Sequence, residues 1–311
     1  MTQRDSSKTV AFIGVGTMGS IMNRRLLEAG HRVRVFDPDA SATERAVAHG
    51  AEGAESPRAA AAGARVAVLS LPGPEVVEAV VAGSEGVLEG LAPEGVIVDM
   101  STIDPATTRR LEAEAAERGS SFLDAPVSGG VARAETGELT IMVGGDAEAL
   151  ERCRPILASL GSNIVRVGPS GSGQIVKLCN NMLVGTILAG LAETLVTAAK
   201  AGVDARTVAD VVRASAGGSW ILDNHLPLTT FADDYGPRFS LDLLYKDVSL
   251  FGGMAAGVGV PVPVTAGVEE MLNAARSRGL GALDQSVVVR MYEELAGVRV
   301  LGDQPADAAG T

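Results

Sequence analysis

The chain has 311 residues, 46% of them hydrophobic, and a formal net charge of −12. That length suffices for two domains with their own cores, and that apolar content excludes a chain disordered along most of its length. The negative balance excludes the basic patches that nonspecific nucleic-acid binding or an anionic membrane surface would need.

The polar start, MTQRDSSK, has no apolar signal core. The first apolar run, Val10–Ile13, predicts a strand that stops at Gly14-Val15-Gly16-Thr17-Met18-Gly19, followed by an amphipathic helix through Leu26. Strand, glycine turn and helix in this order bind a dinucleotide pyrophosphate. Gly14 permits the tight turn, Gly16 lets the backbone approach the phosphates, and Gly19 lets the helix pack close to the strand. The free N–H groups and positive dipole end of the helix then face the anion. The next run, His31 to Phe36, ends at Asp37. A carboxylate near that offset accepts hydrogen bonds from the adenosine ribose hydroxyls and repels a 2′-phosphate, which favours NAD. NADP stays open through an arginine such as Arg45 reaching back. Arg32 and Arg34 alternate with Val33 and Val35, so they fall on the other face of that strand or at its edge.

Further strands are expected at Arg65–Ser70, Val96–Asp99, Phe122–Ala125, Thr140–Val143 and Ile164–Val167. Between them, Ser41 with Glu44 reads as a capping box, and Asp104 with Pro105 opens a helix running toward Gly119. The alternation implies an α/β fold: a mostly parallel, doubly wound sheet with helices on both faces and a ligand crevice at the carboxyl ends of its strands. After Gly168 the strand signals stop. Helices are expected over Gly173–Ala201, Ala205–Ser215, Leu241–Gly257, Val264–Gly279 and Gln285–Ala296, an all-helical second domain. The boundaries are therefore drawn at 1–168 and 169–311, with Pro169–Gly173 as the hinge and 302–311 as a disordered tail. The most apolar stretch, Met182 to Ala192, is short of the roughly 20 residues of a membrane span, so no membrane partner is expected and a cytoplasmic location is the default. Cys153 and Cys179 lie in apolar helical segments and read as buried thiols; with scattered His31, His49 and His225 they offer no metal site.

Three clusters lie where chemistry would need them. Ser101 and Thr102 stand at a strand's carboxyl edge, where their hydroxyls would meet a nicotinamide ribose or cap the following helix. Ser128 offers a hydroxyl, and Gly129 and Gly130 offer bare N–H groups, a concave anion site suited to a small carboxylate; the same glycine pair also suits a loop with positive φ. Lys177 and Asn181 share a face of the long helix among apolar neighbours, so the lysine either snorkels to water or is held in a partly buried site. Lys246 lies in another apolar helical stretch, placed to reach a cofactor or to pair with Asp247 or Asp242. Trp220 and Phe239 are rare aromatics that either wall a pocket or pack a core.

The stretches GVGTMG (14–19), DMSTIDP (99–105), FLDAPVSGG (122–130), GSGQIVKLCNN (171–181) and LYKD (244–247) resemble the β-hydroxyacid dehydrogenase family, over nearly the whole chain from Thr9 to Gly297. Its best-known type is 3-hydroxyisobutyrate dehydrogenase, with tartronate semialdehyde reductases as close relatives. The resemblance implies a Rossmann domain followed by a helical domain, assembled as a homodimer or homotetramer. It implies Lys177 as the catalytic acid/base, Ser128, Gly129 and Gly130 as the substrate-carboxylate loop, and Asn181 as a substrate contact. It implies Thr102, Lys246, Leu71 and Pro72 as cofactor contacts beside the glycine loop. Arg133 and Glu138 depart from the glycine and threonine common at those positions, which leaves the substrate open; Arg133 either meets a second anionic group or is a solvated charge. The implied reaction interconverts a short 3-hydroxy acid and its semialdehyde by hydride transfer. As a base Lys177 must be neutral, and apolar surroundings with a positive nicotinamide would favour that form. Imine reductases usually lack the lysine at position 177, and non-catalytic NAD-binding relatives have lost it; both readings rank below the dehydrogenase.

Overall fold

The computed structural model describes residues 9–302; the expected disordered tail lies, past Gly302, outside the described residues. The chain divides into two compact units, with the division inside one long helix after Leu178.

The first unit is built on nine strands: β1 (Thr9–Ile13), β2 (Arg32–Phe36), β3 (Glu52–Gly53), β4 (Val66–Leu69), β5 (Val96–Asp99), β6 (Ser121–Asp124), β7 (Val127–Ser128), β8 (Thr140–Gly144) and β9 (Asn163–Gly168). Their order is β3-β2-β1-β4-β5-β6-β8-β7, with β9 paired to β8. From β3 to β6 every pairing is parallel. β1 therefore lies between β2 and β4, and the chain leaves it in opposite directions across the sheet, the switch point at which such folds open a crevice. The far end departs from the expected parallel pattern: β8 is antiparallel to both β6 and β7, and β9 is parallel to β8.

Strand alternation supplies both faces of this sheet. Val10, Phe12, Val33, Val35, Val66 and Val68 enter one buried cluster, and Ala11, Ile13, Ala67, Leu69 and Ile97 enter the other. Helices α1 (Thr17–Glu28), α2 (Ala40–Ala48), α6 (Gly130–Thr136) and α7 (Ala147–Leu157) cover the first face with residues such as Met22, Leu26, Ala46, Ala134 and Leu150. Helices α3 (Pro57–Ala61), α4 (Pro74–Ala82) and α5 (Pro105–Glu117) cover the second with Ala60, Val77, Val81 and Leu111. Arg34 does turn to this second face, where it donates to the Ala62 carbonyl at the end of α3, 3.0 Å away. The cap of α5 is Asp104, as its sequence implies. The cap of α2 is Asp39 rather than Ser41, because the Asp39 carboxylate reaches the Ser41 N–H first.

Helix α8 (Ser172–Lys200) runs from the first unit into the second. It is long and apolar enough to cross a membrane by length and composition alone. Gln174, Lys177, Asn180 and Asn181 interrupt its apolar surface, and Gln174 is committed to hydrogen bonds within the first unit. The second unit adds α9 (Ala205–Arg213), α10 (Leu241–Gly257), α11 (Pro263–Arg276) and α12 (Val288–Ala296) around a core that includes Leu188, Leu195, Leu244, Val248 and Leu272. At Gly185 a Cβ would lie 3.1 Å from Val268 and 3.3 Å from Val248, so glycine lets α8 approach α10 and α11. Two turns that the apolar pattern does not announce, a π-helical Ile221–His225 and a 3₁₀ Leu226–Leu228, precede α10. They are pinned by the buried pair of His225 Nε2 and Asp284 Oδ1 at 2.8 Å. Burial opposes the Asp284 charge, but His225 and the Ser286 hydroxyl and N–H outweigh it and hold the carboxyl below its ordinary range. Phe239 packs against this core, whereas Trp220 is exposed. Cys153 is buried, and burial pushes its thiol up to about 12. Cys179 corrects the expectation of a second buried thiol: it lies on an exposed side of α8.

Candidate functional site

The three glycines after β1 answer to three different constraints. Gly14 has φ +88°, and a Cβ there would collide with the Ser70 carbonyl and come within 2.9 Å of the Leu71 side chain. A Cβ at Gly19 would collide with the Gly14 carbonyl, so α1 packs close on the end of its strand. Gly16 is different. Its φ is an unremarkable −66°, and a Cβ there would meet nothing within 4 Å. Among the described residues no contact demands glycine at that position, and the backbone there is open to the approach of another group. Gly16 is also the N-cap of α1, with no side-chain cap and no acidic residue in the first turn. The leading N–H groups, Thr17, Met18 and Gly19 among them, and the positive helix end are thus left for an anion. A dinucleotide pyrophosphate fits this cradle.

Asp37 ends β2 beside the loop. Its Oδ2 accepts the Val15 N–H at 2.8 Å and its Oδ1 accepts the Asp39 N–H at 2.9 Å. The carboxylate is therefore oriented by the glycine loop itself, and each oxygen keeps acceptor capacity for a hydroxyl. Arg45 lies on α2 and is engaged by Ser41 at 3.0 Å and Asp39 at 3.8 Å.

The loops after β4 and β5 are tied together. The Ser101 hydroxyl accepts the Leu71 N–H at 2.9 Å, and the Ser101 N–H donates to Asp99 Oδ1 at 3.0 Å. The Ser101 hydroxyl is buried and accepts from the loop after β4, whereas Thr102 is the half-buried hydroxyl at the sheet edge. Pro72 is exposed beside half-buried Leu71, at the entrance to α4, whose N-cap, Gly73, also lacks a side-chain cap. Ser128 pairs with Thr140 in the β7–β8 ladder. Gly129 and Gly130 follow with φ +130° and +65°, the left-handed backbone that favours glycine. A Cβ on Gly129 would come within 2.8 Å of the Arg133 stem, so Arg133 lies along this turn with its side chain exposed.

The start of α8 is held by groups far away in sequence. Asp124, fully buried at the end of β6, accepts the Gly171 N–H at 2.8 Å and the Gln174 N–H at 3.0 Å. Burial pushes its carboxyl up to about 6, against the pull of those N–H groups. Gln174 in turn accepts from the Ile103 N–H at 3.2 Å and donates to the Ser101 carbonyl at 2.9 Å. One turn further along α8, Lys177 is only 9% exposed, a degree of burial that lysines seldom reach. Another turn on, Asn181 donates to Asp247 Oδ2 at 2.6 Å and accepts from Asn180 at 2.9 Å. Asp247 also pairs with Lys246 at 3.0 Å, one of the alternatives read for that lysine, while Asp242 pairs with Arg276.

Leu71, Ser101, Ile103, Asp124 and the first turn of α8 thus form one bonded framework within the first unit, and Asn181, Asp247 and Lys246 form a chain in the second. Asp124, Gln174 and Asp247 are functional candidates that motif reading passes over. Their visible signal is modest: a carboxylate closing an apolar strand, and polar residues in apolar helices. Among the described residues no group of three or more His, Cys, Asp or Glu is placed to hold a metal.

The NAD binding domain of 6-phosphogluconate dehydrogenase matches residues 9–168. The NAD-binding domain of NADP-dependent 3-hydroxyisobutyrate dehydrogenase matches residues 171–292. The chain belongs to the β-hydroxyacid dehydrogenase family. It is 38% identical to an NAD-dependent L-serine dehydrogenase of Pseudomonas aeruginosa, over 93% of this chain and 99% of that protein. It is 37% identical to a 2-(hydroxymethyl)glutarate dehydrogenase of Eubacterium barkeri, over 96% and 100%. Among solved structures it resembles the 3-hydroxyisobutyrate dehydrogenase of Mycobacterium tuberculosis with L-serine, at a TM-score of 0.85 and 35% identity, over 92% of this chain and 99% of that one. This β-hydroxyacid dehydrogenase is therefore an NAD(P)-dependent oxidoreductase that acts on the CH–OH group of a small hydroxy acid, with a Rossmann domain followed by a helical domain.

Proposed function

We propose that this enzyme oxidises a 2-substituted 3-hydroxypropanoate reversibly to its semialdehyde, with NAD as the preferred cofactor and Lys177 as the acid/base. The observation that carries the reading is buried Lys177 on a helix whose first turn is bonded to the loops at the carboxyl edge of the sheet. L-serine, 2-(hydroxymethyl)glutarate and 3-hydroxyisobutyrate, named for the relatives, share a primary 3-hydroxyl next to a carbon bearing the carboxylate, and differ in the third substituent.

Gly14 through Gly19 would hold the pyrophosphate, Asp37 the adenosine ribose, and Leu71, Pro72, Thr102 and Lys246 the nicotinamide end. When bound, the nicotinamide supplies the two-electron acceptor for the C3 hydrogen. Ser128 and the Gly129 and Gly130 N–H groups hold the substrate carboxylate and so fix C3; this is catalysis by positioning. Lys177 Nζ takes the hydroxyl proton as the carbonyl forms, and in the reverse direction returns it to the oxygen. Asn181 orients the substrate, its own amide being held by Asp247 and Asn180. Asp37 favours NAD because a 2′-phosphate would meet its charge, and Arg45 is already engaged by Asp39 and Ser41. We also assign the domains as 1–168 and 169–311, the assembly as a homodimer or homotetramer, and the location as the cytoplasm.

The test is turnover of L-serine, 3-hydroxyisobutyrate, glycerate and 2-(hydroxymethyl)glutarate with NAD⁺ and separately NADP⁺ at mildly alkaline pH, read as reduced-cofactor absorbance. Saturable turnover with NAD⁺ on at least one acid supports the reading. Turnover with NADP⁺ alone keeps the reaction and removes the Asp37 argument. NADH binding without turnover of any of them refutes the substrate class.

A further inference from the structure

We propose that Gln174 is a positioning residue for the reaction: it sets the distance between the loop carrying Thr102 and the turn of α8 carrying Lys177. The inference rests on the roles proposed above for Lys177 and Thr102.

Gln174 is fully buried, and its three polar groups go to two separate segments, the end of β6 and the loop between β5 and α5. Its N–H goes to Asp124 Oδ2, its Oε1 receives the Ile103 N–H, and its Nε2 reaches the Ser101 carbonyl. The side chain therefore brackets Thr102, bonding the residue before it and the residue after it. Ser101 passes the constraint on. Its hydroxyl accepts the Leu71 N–H, its own N–H is held by Asp99, and its carbonyl receives Gln174 Nε2. Lys177 follows Gln174 on the same helix, one turn along, where residues are surface neighbours. A continuous path of hydrogen bonds thus links the helix that presents the proton acceptor to both loops assigned to the nicotinamide end.

The chemistry of the link specifies glutamine. The site needs one donor, for a carbonyl, and one acceptor, for an N–H, at the end of a side chain of this length. Glutamate in its ionised form supplies acceptors only and turns a charge toward the Ser101 carbonyl; protonated, it regains the donor. Leucine matches the volume and leaves two buried backbone groups unpaired. Hydride leaves C3 and the proton leaves its hydroxyl toward two separately held partners, and displacement of a reacting group by about 1 Å costs on the order of 10²-fold in rate.

The experiment compares the full-length wild type with Gln174→Leu, Gln174→Glu and Lys177→Ala. The first readout needs no turnover: hydrogen exchange of the Ile103 and Leu71 amides in the unliganded protein. Both should exchange about tenfold faster in Gln174→Leu, while β5 amides keep their protection. The second is kinetic, with NAD⁺ and 3-hydroxyisobutyrate or L-serine, whichever the wild type turns over. Gln174→Leu should lose on the order of 10²-fold in kcat, keep its NADH dissociation constant within about threefold, and show a larger primary isotope effect with substrate deuterated at C3. Gln174→Glu should recover part of kcat as pH falls, an acid-side gain absent from the wild type. Unchanged Ile103 and Leu71 exchange, or wild-type kcat in Gln174→Leu, overturns the proposal. So does a loss of kcat that merely follows a loss of folded protein, with no acid-side recovery in Gln174→Glu. Should Lys177→Ala retain turnover, the acid/base reading fails by itself, and the amide exchange still decides whether Gln174 sets the loops.

Discussion

Helices α1 and α8 both begin at the carboxyl edge of the sheet, after a glycine-rich turn, and their first turns are treated in opposite ways. The α1 start has Gly16 as its cap, no side-chain acceptor and no acidic residue. At the α8 start, two N–H groups are received by a buried carboxylate from another strand, Asp124. Every helix start carries unpaired donors, and the protein either satisfies them or leaves them for a ligand. On the proposed reading, the unsatisfied end is left for the cofactor and the satisfied end anchors the helix that carries Lys177. The other helices of the first unit sort the same way: α2, α3, α5 and α7 are capped by Asp39, Ser56, Asp104 and Asp146, whereas α4 and α6 start at uncapped Gly73 and Gly129. The uncapped starts coincide with the segments assigned to cofactor and substrate.

The strongest way to sharpen the contrast is to remove what the anchored helix presents. Lys177→Ala should lower kcat by on the order of 10³-fold, within the range for loss of a general acid/base. NADH affinity, measured by fluorescence titration, should stay within about twofold of the wild type, because the open start of α1 is untouched. A parallel loss of affinity would mean that Lys177 holds the cofactor rather than the proton.

Next in size is the carboxylate that closes α8. Burial raises the Asp124 carboxyl to about 6, above the 3.8 of an unburied aspartate. A group whose folded value is raised contributes stability in full below its unfolded value and loses it as pH rises through the folded one. Between about pH 4 and pH 6 the wild type should therefore lose on the order of 3 kcal/mol relative to Asp124→Asn, whose amide does not titrate. Urea unfolding across that window checks this. Parallel curves would show that the buried carboxylate keeps an ordinary pKa, and that its N–H bonds cancel the cost of burial. Asp124→Asn should also speed exchange of the Gly171 and Gln174 amides, since one of its two acceptors becomes a donor.

The two helix starts also differ in how far the sequence reveals them. The α1 start is written in consecutive residues, so spacing alone assigns Gly14, Gly16 and Gly19 their parts. Asp124 and Gln174 stand in quoted motifs without standing out, because their partners lie at Gly171, Ser101 and Ile103, and no local pattern joins those positions. The same division runs through the fold. Strands that fill the middle of the sheet are continuous apolar runs and are legible. Strands β3 and β7, with two residues each, exist only because a neighbour offers them a ladder. The reversal of β8 is equally invisible, since a buried strand reads alike in either direction. The π turn before α10 depends on the His225–Asp284 pair, whose members are remote in sequence. Cys179 shows the converse error: apolar neighbours in sequence did not place it on a buried face.

The smallest expected effect tests the comparison most directly, by closing the open end. Gly16→Asp gives α1 the kind of cap that α2, α5 and α7 already have. The backbone at Gly16 is extended, with φ −66° and ψ −156°, and a Cβ meets nothing within 4 Å, so aspartate fits without strain. Its carboxylate would accept an N–H of the first turn and oppose the helix dipole, stabilising the fold by up to about 1 kcal/mol. The same carboxylate would occupy the approach to the N–H groups and repel a phosphate. At an exposed position, two unit charges about 4 Å apart repel by about 1 kcal/mol, and with the lost N–H bonds NADH should bind about tenfold more weakly. Melting temperature and NADH affinity should move in opposite directions, and added salt should recover part of the affinity. If both fell together, Gly16 would be glycine for the sake of the fold. If stability rose and affinity held, the pyrophosphate would sit elsewhere, and the bare start of α1 would need another explanation.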